Sequence, residues 1–212
     1  MKFAYPFLIT LINLSLFSSC DRSEELPDCN DLYATYVHKW NDNPEHKIPI
    51  VKPDMIQSFK PDTYVSTLVD STDKGYVKTK KQVEALISAS RQDFQELANF
   101  NEFSLETIEK LDKAIDRQYI RSIIDASDVN DDSNQYMISI IEFGCALAQT
   151  MENEIGGFVW VYKYPYWEST LLHKKTGFEI PVFHWAIKKY SEYGVDDGFK
   201  DKILALKSNL QE

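Results

Sequence analysis

Gln135-Tyr-Met-Ile-Ser-Ile-Ile-Glu-Phe-Gly-Cys-Ala-Leu-Ala-Gln-Thr-Met-Glu-Asn-Glu-Ile155, then Gly156-Gly157, then Phe158-Val-Trp-Val-Tyr-Lys-Tyr-Pro-Tyr-Trp167: the fold class turns on this stretch. In its first part Ile138, Ile141, Cys145, Ala148 and Met151 recur at steps of three and four, the spacing of one helix face. Apolar residues fill much of the remaining circumference, which marks a helix central to a domain. Gly156-Gly157 ends it, because glycine takes the left-handed conformation that closes a helix. From Phe158 the composition turns β-branched and aromatic, as in a strand. Phe158, Trp160, Tyr162, Tyr164 and Tyr166 then share one strand face. The Phe158–Tyr162 part is expected to pack on the central helix. Tyr164, Tyr166, Trp167 and Glu168 are the candidate binding surface, expected to be exposed because Pro165 interrupts pairing.

Downstream, Lys174-Lys175-Thr176-Gly177 reads as a turn and Phe178–Val182 as the partner strand, with Pro181 confining it to an edge. His184–Tyr193 returns to helix, Gly194 ends it, and Asp197 is positioned to cap a last helix through Leu210. Upstream, Ser127–Asn134 is a polar loop. Leu105, Ile108, Leu111, Ile115, Tyr119 and Ile123 mark one long helix capped by Ser104. Val83, Leu86, Ile87, Phe94, Leu97 and Ala98 mark another, opened by the capping box Thr79–Gln82. Asn41–Pro53 holds three prolines and reads as extended. Leu32–Trp40 reads as a short helix on the body. The sum is an α+β fold: a helix-rich single domain with a small late antiparallel β-hairpin, spanning residues 32–212.

The first twenty residues, MKFAYPFLITLINLSLFSSC, combine Lys2, a largely apolar run to Phe17, two small residues and Cys20. This is the three-part pattern of a secretory signal, and the run is too short and interrupted to span a bilayer. Phe17-Ser18-Ser19-Cys20 resembles the processing site of bacterial lipoproteins, an aliphatic residue, two small residues and a cysteine, with Phe17 where Leu is usual. The resemblance implies that residues 1–19 are a signal peptide and that Cys20 is lipidated with a diacylglycerol and usually a third chain, such as palmitate. Residues 20–31 would then be a lipid-anchored tether. It also implies a place in the bacterial cell envelope, at the outer membrane, with the membrane as a partner through the lipid on Cys20. Ser23-Glu24-Glu25 resembles the acidic signal for surface display in some Gram-negative groups. The alternative is an ordinary secretory signal cleaved near Ser19.

The chain has a formal net charge of −10, and loss of Lys2 with the signal peptide takes it to −11. A protein that binds nucleic acid needs a basic footprint to displace counterions, so nucleic acid is excluded as a partner. Hydrophobic content of 43% with 13% aromatic suffices for a core and excludes global disorder. Besides Cys20 there remain Cys29 and Cys145, for which the sequence leaves a disulfide open and favours Cys145 as a small buried residue.

Catalytic constellations are missing. The acidic loop from Asp128 has Ser133 and Ser139 at the sixth and twelfth positions, where a calcium loop needs glycine and glutamate. His38, His46, His173 and His184 form no zinc-ligand pair. There is no nucleophile elbow, phosphate loop or dinucleotide fingerprint, so no metal and no cofactor is expected. Cys145 lies mid-helix without the signature of a cysteine enzyme. Gly144, Gly156, Gly157, Trp160, Pro181, Lys188 and Gly194 give the last seventy residues a likeness to small bacterial domains, some thought to act as toxin-immunity partners. No functional residue is carried over from it. The leading expectation is a lipid-anchored, non-enzymatic binding or immunity-type module with a protein or carbohydrate partner. The alternatives are an envelope hydrolase with dispersed acid/base residues (Glu152, Glu154 or His184) and a purely structural lipoprotein.

Overall fold

A computed structural model describes residues 25–37, 74–131, 134–162 and 166–211. Residues 1–24, read as signal peptide and lipidated Cys20, Tyr164, and the segment Asn41–Pro53, expected to be extended, lie outside the described residues. Within them the chain is helix-rich with a three-stranded antiparallel sheet late in the sequence, an α+β fold.

Helices α1 (Cys29–Leu32), α2 (Lys74–Ala98), α3 (Leu105–Ala114), α4 (Arg117–Ala126) and α5 (Gln135–Glu154) precede the sheet. Strands β1 (Phe158–Val161), β2 (Thr170–His173) and β3 (Phe178–Ile180) follow, then α6 (Val182–Lys189) and α7 (Phe199–Gln211). A π turn, Tyr33–Val37, continues α1, and a 3-10 turn, Tyr166–Glu168, lies between β1 and β2.

The central helix forms where its apolar residues place it. Asn134 caps α5 by accepting the Met137 N–H at 2.9 Å, and Gly156 and Gly157, at φ of +76° and +78°, end it. Its core-facing side chains are almost wholly buried, from Tyr136 to Met151. Phe143 is the hub, with ring centroids of Phe94, Tyr190 and Phe199 at 6.2, 6.0 and 5.4 Å. Helix α6 packs closely on α5 because Gly144 has no side chain. A Cβ there would stand 2.5 Å from Cδ1 of Phe183.

Several expectations are corrected. The long helix through Ile115 is two helices: Ile115 turns into the core, and Asp116 caps α4 by accepting the Tyr119 N–H at 2.8 Å. An Asp that can bond a nearby N–H favours a cap over a helix interior. Helix α2 begins at Lys74, so Thr79 lies inside it and does not open it. Residues 26–31 are docked on the body and are not a free tether. Leu26, Cys29, Leu32 and Tyr33 are buried, and Asp28 caps α1. Leu26 and Cys29 extend upstream the apolar spacing that begins to be obvious only at Leu32.

The expected hairpin is a meander with one more strand. Phe158 pairs with His173 and Trp160 with Leu171, while Leu171 pairs with Ile180 and His173 with Phe178. The strand expected to run to Trp167 ends at Val161. Strand β2 gives no alternating signal because all four of its residues are buried. The inner face of the sheet meets α6, where Trp160 stacks on Phe183 at 5.8 Å.

The two tryptophans exchange their expected places. Trp160 is only partly buried, whereas Trp167 is 4% exposed. The reason is the 3-10 turn. It contacts α2 and α6, and it swings Trp167 inward just where Pro165 had suggested an exposed break.

Candidate functional site

Of the expected binding surface, Trp167 and Glu168 are covered, while Tyr164 and the Tyr166 side chain lie outside the described residues. Tyr166 has its backbone in the 3-10 turn, and Trp167 belongs to the core. Glu168 is largely covered, with its side chain 13% exposed. It accepts a hydrogen bond from the Tyr33 hydroxyl at 3.1 Å and lies 3.3 Å from Nε2 of the buried His184. The rings of Tyr33 and His184 meet edge to face, with centroids 6.5 Å apart. This cluster clamps the N-terminal segment, the 3-10 turn and α6 together.

The acid/base residues of the hydrolase alternative are dispersed over separate structural tasks. Glu152 accepts the Phe158 N–H at 3.0 Å at the entry to β1. Glu154 accepts the Leu105 N–H at 3.2 Å and faces Lys207 at 3.4 Å. His184 lies with Glu168. Cys29 and Cys145 are both buried free thiols, and burial pushes each thiol up from its ordinary range. His173 pairs with Thr176 at 2.9 Å, and burial holds its imidazole below the usual value. In the acidic loop Asp128 accepts the Asn130 N–H at 2.8 Å and Asn134 caps α5, while Asp132 and Ser133 lie outside the described residues. Among the described residues no three potential ligands gather to hold a metal ion, and no helix is long and apolar enough to cross a membrane.

An open concave feature of the described surface lies elsewhere. An open groove of about 730 Å³ runs between α3, the start of α4 and the segment 195–201. Lys189 reaches its floor from α6, with its side chain 2% exposed. Its ammonium donates to the carbonyl oxygens of Val195 at 2.7 Å and Asp112 at 3.3 Å, and lies 3.7 Å from Asp112 Oδ1. Burial lowers the affinity of this lysine for its proton and raises that of Asp112, and each partner's charge opposes the other's shift. The second Asp112 oxygen accepts the Phe199 N–H at 2.8 Å. The cap of α7 therefore comes from α3, which corrects the expectation that Asp197 supplies it. Asp197 instead pairs with Lys202.

The walls are likewise paired. Arg117 forks to Glu192 and to Asp196, the latter at 2.7 Å, which raises its pKa further above an already high value. Glu109 binds Lys113 at 2.9 Å and also Lys200, and these two cations hold its carboxyl down at about 2. In all, six carboxylates and four cations line the groove. Its rim carries the exposed side chains of Asp116, Asp196 and Asp201. None of these residues stood out in the sequence, because they come from three segments that only the fold unites. The one local hint was Asp197, read as the cap of the last helix.

The positions that carry the likeness to immunity-type domains have structural tasks here: Gly144 admits Phe183, the Gly156-Gly157 pair ends α5, and Trp160 stacks from β1 on Phe183. Lys188 places its ammonium 5.4 Å from the centre of the Tyr193 ring. Compared with protein-family models, with characterised proteins and with solved structures, the chain has no match in any of the three.

Proposed function

We propose that this protein is a lipid-anchored, non-enzymatic binding module of the cell envelope, and that it holds a protein partner with a basic surface in the groove between α3, α4 and residues 195–201. The observation that carries this reading is the pairing of the groove's charges. Lys189, Arg117, Lys200 and Lys113 are each engaged by carboxylates or carbonyls of the chain itself. Such cations are fixed in place and committed, unlike a general acid or nucleophile that must meet a substrate. The exposed carboxylates at the rim leave a surplus of negative charge, which steers a basic partner and sets its register. A protein is favoured over a carbohydrate because Trp167, the aromatic platform a sugar would need, is in the core. Lipidation of Cys20 rests on the Ser18-Ser19-Cys20 site, with several acyl chains giving a stable anchor.

A photo-crosslinking side chain at Gln118, which lines the groove, tests this reading in the protein's own membranes. One protein should be captured, and capture should weaken with rising salt and be lost in D196K/D201K. Capture unchanged by both charge reversals would remove the groove as the contact face. Cys20→Ala should abolish acyl labelling and membrane retention, and a variant that keeps both would remove the lipid anchor.

A further inference from the structure

We infer that the docked stretch Leu26–Val37 keeps the Arg117–Glu192 side of the protein, with the mouth of the groove beside it, nearest the bilayer surface. The inference rests on the lipid-anchored reading above and adds to it a side of the molecule and a distance. Leu26 donates its N–H to Glu192 at 2.8 Å, Glu192 donates its own N–H to the carbonyl of Pro27 at 3.1 Å, and Arg121 donates to the carbonyl of Glu25 at 2.7 Å. Leu26 is 4% exposed, and Cys29, Leu32, Tyr33 and Val37 are buried behind it. Asn134 donates to the Tyr36 carbonyl, which ties the far end of the stretch to the start of α5. Residues 26–37 are therefore part of the body.

Six residue steps separate Cys20 from Leu26. At about 3.3–3.6 Å per extended residue they reach no more than about 22 Å. Glu192 then links Leu26 directly to Arg117, and Arg117 lines the groove. The groove is thus one side chain away from the point where the short anchor leaves the body. The opposite end of the molecule is placed by α5. Its first turn lies beside this junction, where the Tyr136 hydroxyl meets the Tyr190 carbonyl at 3.4 Å. Its last turn leads to Gly157, whose carbonyl accepts the Lys174 N–H at 2.9 Å. Twenty helical residues span about 30 Å, so the Lys174–Lys175 turn stands about that far from the anchored face. The surface that meets the lipid headgroups is the one bearing Glu25, Arg117 and Arg121. A partner entering the groove is accordingly presented at the membrane surface.

The test uses the full-length acylated protein in phosphatidylethanolamine–phosphatidylglycerol vesicles containing headgroup-spin-labelled lipid. A fluorophore is attached through Gln118→Cys or through Lys174→Cys, the native Cys29 and Cys145 being buried. Quenching at position 118 should be several-fold stronger than at position 174. Inserting a ten-residue Gly/Ser segment between Arg22 and Ser23 should erase most of that difference while acyl labelling persists. Equal quenching at the two positions, or stronger quenching at 174, in acylated protein overturns the placement and leaves the lipid anchor standing. Absence of acyl label on the parent protein overturns both.

Discussion

Phe143 and Lys189 sit on neighbouring helices and are equally buried, yet opposite forces hold their surroundings. Around Phe143 the rings of Phe94, Tyr190 and Phe199 and the bare backbone of Gly144 make a region governed by shape. There apolar surface leaves water at roughly 25 cal/mol per Å², and fit decides how much of that gain survives. Around Lys189 nothing is gained by removing charge from water. The gain comes from supplying acceptors to the ammonium, the carbonyls of Val195 and Asp112 and the Asp112 carboxylate, while the start of α7 donates an N–H to that carboxylate's other oxygen. The first region tolerates softness and fails by cavity or clash, and the second fails as soon as one partner is missing.

The largest expected effect tests the second region. Lys189→Met should destabilise the protein by about 3–5 kcal/mol, because Asp112 is left buried without its cation. Combining it with Asp112→Asn should recover most of the loss, since the amide oxygen still accepts from the start of α7. Urea unfolding of the four proteins in this cycle decides the matter, and a single mutant as stable as the parent would show that the ion pair does not hold the corner.

Trp167→Ala should cost about 3–5 kcal/mol as a large-to-small core change. Trp160→Ala should cost clearly less. It is half-buried, and its stacking on Phe183 adds about 0.5–1.5 kcal/mol beyond the area it covers. Thermal melts in which Trp160→Ala falls further than Trp167→Ala would reverse the assignment of inner and outer aromatics.

Gly144→Ala probes shape alone. The added methyl meets Phe183, and overpacking of this kind costs about 1–3 kcal/mol. Adding Phe183→Leu should soften the penalty, and a midpoint unchanged in Gly144→Ala would mean that α5 and α6 are not in tight contact.

The smallest effect is a pH dependence at the groove. Glu109 titrates at about 2 in the folded chain against an ordinary 4.5, and Arg117 with the Leu26 N–H lowers Glu192 as well. A depressed folded value contributes stability that is present above the unfolded value and lost as pH falls toward the folded one. The melting temperature should therefore decline between about pH 4.5 and 2, and E109Q should flatten part of that decline. Both groups are solvent-facing, so the decline should be modest and should shrink in salt. An E109Q profile identical to the parent's across this window would break the link.

The sequence was most legible where one segment contains its own answer. Asn134, the apolar run from Tyr136 to Met151 and Gly156-Gly157 specify a capped, buried and terminated helix without reference to anything else. Ser104 capping α3 was legible for the same reason, its hydroxyl accepting the Thr107 N–H three residues on. Strand β2 was not, because a strand covered on both faces carries no alternation to read. Trp167 was misplaced because a proline marks where pairing stops and says nothing of where the next side chain points.

What the sequence by itself determined is thus the fold class and the central helix, each set by local spacing and local hydrogen-bond chemistry. What only the tertiary structure decided is every arrangement that joins distant segments: Leu26 on Glu192, Tyr33 and His184 about Glu168, and Asp112 capping α7 while it pairs with Lys189. Their physical origin is the same. A buried or half-buried polar group must find a partner, and the chain specifies the need locally while the packing of helices specifies which distant residue meets it.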